Sequence, residues 1–335
     1  MKPRRLGRTG LRVPPLCLGT MTFGLQCDRD TSFAILDAAF EHELSFLDTA
    51  DVYPLGGSLE TVGRTEEILG EWMALRGNRD ALLIASKCFA PMGTGPNDHG
   101  LSRQHIVASV DASLRRLRTD RIDLFQTHFF DANVPIEETL GTLDDLVRSG
   151  KLRYVGCSNY PAWRLAGALL AARRAGIEGY VSVQPRYSLL FREIETELLP
   201  LCRDQGLGVL VYNPIAGGML SGRYKPGGKP EEGTRFTLGS AAKTYQHRYW
   251  EEAQLKAVER LAKEVTARGA DLVTVAVAWV IAQAGITSAI IGASRPEQLV
   301  ASRAAADFEL DDELRKACDA VWWELPRRPI TEGYR

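Results

Sequence analysis

The chain has 335 residues, 45% of them hydrophobic and 25% charged, the balance of an ordinary folded domain. Lys and Arg number 41 against 42 Asp and Glu, a formal net charge of -1, so no overall field draws it to nucleic acid or an anionic membrane. Six cysteines (Cys17, Cys27, Cys88, Cys157, Cys202 and Cys318) are dispersed without a C-x-x-C pair, which argues against a disulfide framework or a zinc knuckle.

In chain order, the basic start MKPRRLGRTG lacks the apolar core of a signal sequence. PRRLGRTGLRVP predicts a hairpin about Arg8-Thr9-Gly10. Strand-like LCLGTM (16–21) precedes a helix at 32–43, opened by the cap-like pair Asp30-Thr31. SFLDTA (45–50) and a helix at 64–76 come next, then ALLIASKC (81–88) and a helix at 105–118 after Ser102. IDLFQTH (122–128) leads to a helix at 135–150 that opens with Pro and closes with Gly. YVGCSN (154–159) precedes a second helix of that signature at 161–176, and VSVQPR (181–186) a helix at 193–206. GVLVYN (208–213) runs into a Gly-, Pro-, Lys- and Tyr-rich stretch from Ala216 to Tyr249, then an extra helix at 250–265. The uncharged segment from Leu272 to Ala293 is long enough to span a bilayer. Gln283 and Gly285 divide it into a buried helix at 273–285 and a strand SAIIGA (288–293). A helix at 296–306 and a tail helix stopping before Pro326 complete the chain.

The strand-like runs are continuously apolar, as suits parallel strands buried on both faces. Eight of them alternating with helices predict an α/β fold, a closed (β/α)8 TIM barrel in one domain over 1–335. It carries an N-terminal hairpin at the barrel floor, a long loop after the seventh strand and extra C-terminal helices. The competing open doubly wound sheet usually carries G-x-G-x-x-G after its first strand, and none is found here.

Chemistry in such a barrel sits at the C-terminal ends of the strands. Polar residues gather at those positions: Asp48 and then Tyr53, Lys87, His128, Ser158-Asn159, Gln184 and Tyr212-Asn213. Taken singly, each has a bland explanation as a cap or turn residue. Their shared placement at one rim argues for a site.

These residues lie in GTMTFG (19–24), LDTADVY (47–53), GRTEEILGEW (63–72), ASK (85–87), RIDLFQTH (121–128), GCSNYPAW (156–163), VQPRYSLL (183–190), YNPIAGGMLSGRY (212–224) and IGASRPEQL (291–299). In order and spacing, from about residue 4 to 305, the chain resembles the aldo-keto reductase family. More narrowly it resembles the longer bacterial-type branch related to potassium-channel β-subunits. The resemblance implies metal-free reduction of aldehydes and ketones with NADPH. Tyr53 then matches the proton donor, Asp48 and Lys87 its supporting pair, and His128 the residue that orients the carbonyl. Lys87 beside the phenol is expected to lower its pKa.

The same resemblance implies that Ser158, Asn159 and Gln184 hold the nicotinamide carboxamide and that Tyr212 stacks on the ring. Thr20, Met21 and Asp48 adjoin the cofactor, and Asn213, Pro214, Ile215, Ala216, Gly217, Gly218, Leu220, Gly222 and Arg223 follow its pyrophosphate. Gly292, Ser294, Arg295 and Gln298 fall where the adenosine 2′-phosphate binds, which favours NADPH over NADH. Close relatives often carry Glu-Asn where this chain has Ala301 and Ser302, so those adenine contacts are not expected. Met21, Phe23, Phe89, Phe129 and Phe130, with Tyr53 and His128, are candidates for the substrate pocket.

The expected partner is a small-molecule carbonyl, in a cytoplasmic protein whose oligomeric state the sequence leaves open. The same resemblance supports two rival functions, a nucleotide-sugar keto-deoxyhexose reductase and an NADPH-sensing regulatory protein. Residues 217–249 are expected to order when cofactor binds, on their Gly and Pro content.

Overall fold

The structure is a computed structural model that describes residues 1–326. β1 (Arg4–Arg5) and β2 (Arg12–Val13) pair antiparallel as the expected hairpin. The chain then alternates through β3 (Leu16–Gly19), α1 (Arg29–Glu41), β4 (Phe46–Asp48), α2 (Arg64–Arg76), β5 (Leu83–Cys88) and α3 (Arg103–Leu117). It continues with β6 (Ile122–Thr127), α4 (Ile136–Arg148), β7 (Leu152–Ser158), α5 (Ala162–Ala175), β8 (Ser182–Gln184), α6 (Leu198–Gln205) and β9 (Gly208–Tyr212). Beyond β9 lie α7 (Ala242–Tyr249), α8 (Glu252–Ala267), α9 (Leu272–Ala282), β10 (Ser288–Gly292), α10 (Gln298–Ala304) and α11 (Asp312–Glu324). Strands β3 to β10 are parallel and close on themselves in chain order, β10 pairing back onto β3, which is the (β/α)8 barrel.

Alternation along each strand divides the apolar residues into two cores. Leu47, Ile84, Phe125 and Val211 face outward and pack beneath the helices. Cys17, Phe46, Ala85, Leu124, Leu210 and Ile290 face inward and fill the barrel. The hairpin plugs the floor: Leu6 and Val13 join that inner cluster, both fully buried. All six cysteines are buried and unpaired.

Helix starts follow their caps. Asp28, rather than the Asp30-Thr31 pair, caps α1, its Oδ1 accepting from the Thr31 amide at 2.8 Å, so the helix begins earlier than expected. The single helix expected over 193–206 is broken into a turn at Glu193–Glu195 and then α6. Pro200 explains the break, because proline is tolerated only in the first turn of a helix.

The Ala216–Tyr249 stretch is more ordered than its composition suggests. It opens with a 3-10 turn at Ala216–Ser221 and ends in α7. Between them Tyr224 and Phe236 bury against Trp250, with ring centroids 4.9 and 4.8 Å from the tryptophan. These aromatic contacts supply the local core that Gly and Pro content conceals. The uncharged Leu272 segment resolves into α9 and β10, with nearly all of α9 buried inside the protein. Among the described residues no single helix is long and apolar enough to cross a membrane. Residues 327–335 of the expected domain lie outside the described residues.

Candidate active site

At the C-terminal rim, β4 and β5 place Asp48 and Lys87 side by side. Lys87 is fully buried; its Nζ donates to Asp48 Oδ1 at 2.5 Å and to the Thr49 carbonyl at 2.7 Å. The second Asp48 oxygen accepts from Gln184 Nε2 at 2.8 Å and from Gln126 Nε2 at 3.3 Å. Burial pulls the Lys87 ammonium down, but Asp48 and Tyr53 together outweigh it and hold the pKa above the usual lysine value. The lysine is therefore charged at neutral pH.

Tyr53 arrives on the loop after β4. Its ring centroid lies 5.1 Å from Lys87 Nζ and 6.0 Å from the His128 ring. From sequence, Lys87 is expected to lower the phenol pKa. The net direction is the reverse, because burial raises it more than Lys87 lowers it. Tyr53 is thus a protonated phenol at rest, with a neighbouring cation ready to stabilise the phenolate. Burial first, then the Lys87 charge, push the His128 imidazole well below its usual value, so it is neutral. His128 Nδ1 is buried without a partner. Phe129 stacks on His128 at 5.1 Å, and Phe89 meets the Phe129 ring edge-on at 5.5 Å.

Behind Tyr53 lies a second buried set. The Asp51 amide donates to the Lys87 carbonyl at 3.0 Å, while both Asp51 carboxyl oxygens are buried without partners. Burial, then neighbouring Glu66, raise the Asp51 pKa well above the usual carboxylate range. Glu66 accepts from Ser86 at 2.6 Å and pairs with Arg116 at 2.7 Å. Arg116 thus pairs with Glu66, and its charge only partly offsets the burial that raises Asp51.

The residues expected to hold the carboxamide form one hydrogen-bonded group. Ser158 donates to the Gln184 carbonyl at 2.8 Å, Asn159 Nδ2 to the His128 carbonyl and to Ser158 Oγ at 3.0 Å, and the Tyr212 hydroxyl to Asn159 Oδ1 at 2.8 Å. Gln184 gives its amide to Asp48, so its Oε1 and the second lone pair of Asn159 Oδ1 are left to accept from a primary amide. Asn159, Asn213 and Ala216 have φ of 60°, 57° and 51°, three of the five non-glycine residues with positive φ among the described residues. Such strain concentrates at working sites.

The loop after β9 bends away at Gly217 and Gly218, with φ of 68° and 101°. A side chain at Gly217 would strike the Tyr245 ring at 2.6 Å, whereas one at Gly218 would point toward the Arg223 guanidinium at 3.5 Å. Ser294 and Gln298 are brought together, Gln298 Oε1 accepting from the Ser294 amide at 2.8 Å beside exposed Gly292 and Arg295.

Some expected residues do not reach the cleft. Phe23 is fully buried in the outer core, so it does not wall a pocket. The Thr20 amide and hydroxyl both donate to the Asp48 carbonyl at 3.0 Å, which leaves it a support for Asp48. The Leu220 side chain is likewise buried in the outer core, leaving only its backbone for a ligand. Phe130 turns to Tyr160, at 5.4 Å, and lies under Arg164. Half-buried Met21 accepts the Leu55 amide at 2.9 Å, joining its loop to the one that carries Tyr53.

Arg235 is a functional candidate visible only in the structure. From the long loop it reaches to within 3.8 Å of the position a side chain would occupy at Gly292, and its Nη1 is buried without a partner. A lone arginine in a Gly- and Pro-rich loop carries no spacing signal that would have singled it out.

An eight-stranded barrel with a buried ion pair, a protonated phenol and a neutral imidazole at its C-terminal rim has the make-up of a barrel enzyme. The family model described as Aldo/keto reductase family matches residues 15–322, and the chain belongs to that family of oxidoreductases. It is 40% identical to the uncharacterized oxidoreductase YrpG of Bacillus subtilis, over 95% of this chain and 94% of the relative. A probable voltage-gated potassium channel subunit beta of Oryza sativa is 35% identical over 100% of both chains. An aryl-alcohol dehydrogenase [NADP(+)] of Phanerodontia chrysosporium is 32% identical over 93% of this chain and 85% of the relative.

Proposed function

We propose that the protein reduces an aldehyde or ketone to the alcohol with NADPH, using Tyr53 as the proton donor. The observation that carries this reading is the Lys87–Asp48 pair, buried at 2.5 Å beside a phenol that keeps its proton. The residues present fit the cofactor. Half-buried Arg235, whose Nη1 has no hydrogen-bond partner, and exposed Arg295 and Arg223 offer cations to its phosphates, and the Gln184 and Asn159 acceptors suit its carboxamide.

When bound, the nicotinamide supplies hydride to the carbonyl carbon. Negative charge then develops on the carbonyl oxygen. Tyr53 donates its hydroxyl proton there, and neutral His128 offers a ring N–H to the same oxygen, as an oxyanion hole does. Lys87 stabilises the phenolate that remains, and Asp48 keeps Lys87 charged and fixed through its own bonds to Gln184 and Gln126. Phe89 and Phe129 give the mouth an apolar wall suited to an aryl carbonyl, in keeping with the aryl-alcohol dehydrogenase relative. We place the protein in the cytoplasm, where six buried free thiols are at home.

The test is NADPH and NADH oxidation with an activated aromatic aldehyde, for the protein and for Tyr53→Phe. Turnover with NADPH is expected to fall at least about a hundredfold in the variant while NADPH still binds. Tight NADPH binding without turnover by the unaltered protein would instead favour a sensing role, in line with the channel-subunit relative.

A further inference from the structure

Arg186 is the most buried arginine among the described residues, only 7% exposed, and it has no acid or carbonyl partner. Three other partly buried arginines are matched by acids: Arg79 with Asp123, Arg116 with Glu66, and Arg192 with Glu195 and Asp319. The Arg186 guanidinium instead lies over the Phe191 ring at 3.7 Å and 5.8 Å from the Tyr249 centroid, with its Nε buried and unpartnered. A buried cation without an anion is costly, and aromatic faces offset only part of that cost.

Its position is fixed by the strand ends. Arg186 bridges Tyr212, whose amide donates to the Pro185 carbonyl at 3.0 Å, while the Tyr187 amide donates to the Tyr212 carbonyl at 3.2 Å. Tyr187 points outward and stacks on Trp279 at 5.4 Å. Gln184, two residues before Arg186, points inward to Asp48, so alternation aims Arg186 into the mouth above it. A second arginine stands nearby: Arg248 on α7, half-buried, also has an unpartnered buried Nε and, among the described residues, no acid partner. Arg248 and Arg186 both act on the Tyr212 phenol, opposing the burial that pushes its pKa up to about 12. Tyr245, next along the same helix, acts electrostatically on both Tyr53 and Tyr212, so this wall of α7 runs from the proton donor to the arginines.

We propose that Arg186 and Arg248 form an anion subsite at the mouth of the barrel, and that the preferred substrates are carbonyl compounds bearing a carboxylate or similar negative group. This rests on the reductase reading. The subsite supplies charge-assisted hydrogen bonds to the anionic end while Tyr53 and His128 engage the carbonyl.

The test compares kcat/KM for 4-carboxybenzaldehyde and its neutral methyl ester in the NADPH-loaded protein and in Arg186→Met, Arg186→Lys and Arg248→Gln. The charged-to-neutral ratio is expected to fall about ten- to a hundredfold in Arg186→Met, the loss of one hydrogen bond to a charged group, and less in Arg186→Lys. An unchanged ratio with both aldehydes turned over overturns the subsite and leaves the reductase reading intact. A rise in KM for NADPH with the ratio unchanged would assign the arginines to a cofactor phosphate and also overturn it. If neither aldehyde is reduced, calorimetric titration of the NADPH-loaded protein with benzoate decides. Binding that Arg186→Met abolishes supports the subsite, and binding that is absent or unaffected refutes it.

Discussion

The buried Lys87–Asp48 pair makes an asymmetric stability prediction. Replacing Lys87 by Met leaves Asp48 without its cation but still accepting from Gln184 at 2.8 Å and Gln126 at 3.3 Å. Replacing Asp48 by Leu leaves the Lys87 ammonium fully buried with only the Thr49 carbonyl at 2.7 Å, and takes the acceptor from both glutamine amides. Removing one partner of a buried pair costs about 3–5 kcal/mol. The structure puts Lys87→Met at about the lower end of that range and Asp48→Leu at about the upper end, because the amides shield only the acid. Unfolding entropy scales at about 2.1 cal/mol/K per residue, or roughly 0.7 kcal/mol/K for this chain, so the losses correspond to about 4 and 7 °C in Tm. The double variant leaves no orphaned charge and is expected to be more stable than Asp48→Leu alone, while remaining inactive like both single variants. Thermal melts by circular dichroism, without cofactor, read all three. The Lys87 pKa is raised on folding, so the pair's contribution is intact below the ordinary lysine value of about 10.4 and is lost only as pH rises beyond the folded value. A double variant whose loss equals the sum of the single losses, or an Asp48→Leu protein melting above Lys87→Met, would refute the reasoning.

Asp51 has a raised folded pKa, so its carboxyl weakens the fold increasingly as pH climbs above the ordinary aspartate value of about 3.9. Asp51→Asn should therefore unfold at higher urea than the unaltered protein near neutral pH, with the gap closing toward about pH 4; an equal gap at both pH values would rule this out. Gly217→Ala combines a φ of 68° with a contact of 2.6 Å to the Tyr245 ring, whereas Gly227→Ala has a φ of 73° and nothing within 4 Å. Both should lose about 1 kcal/mol or more to backbone strain, but only Gly217→Ala should also raise KM for NADPH; parallel behaviour in the two would discount the Tyr245 contact.

The strands were legible because a parallel barrel buries both faces of each, so the runs are apolar throughout and stand out from the helices. The catalytic candidates were legible for a related reason, as polar interruptions at the ends of those runs. What stayed hidden depends on chain reversal rather than local pattern. Phe23 sits in a loop after β3 that folds down into the outer core, so a position near the rim did not mean a place in the cleft. The order of the long loop comes from Tyr224, Phe236 and Trp250, which are far apart in sequence and meet only once the loop closes. Arg186 and Arg235 are single cations in unremarkable surroundings. Neither forms an ion pair among the described residues, a property that one-dimensional spacing does not display.

The boundary between stability and function runs across the barrel interior and is two residues deep. On the inward face, Phe46 is followed two residues on by Asp48, Ala85 by Lys87, Leu124 by Gln126 and Leu210 by Tyr212. The lower member of each pair belongs to the apolar plug closed by Leu6 and Val13. The upper member belongs to the polar network. A parallel barrel makes this division possible, because every strand brings its C-terminal end to the same rim, so one step along these four strands builds a polar layer over an apolar one. The apolar layer keeps water from reaching the ion pair from below, and low local dielectric strengthens the Lys87 field at Tyr53. A polar substitution in the plug, at Phe46 or Leu124, therefore acts on catalysis through the electrostatics of Lys87 as well as through packing.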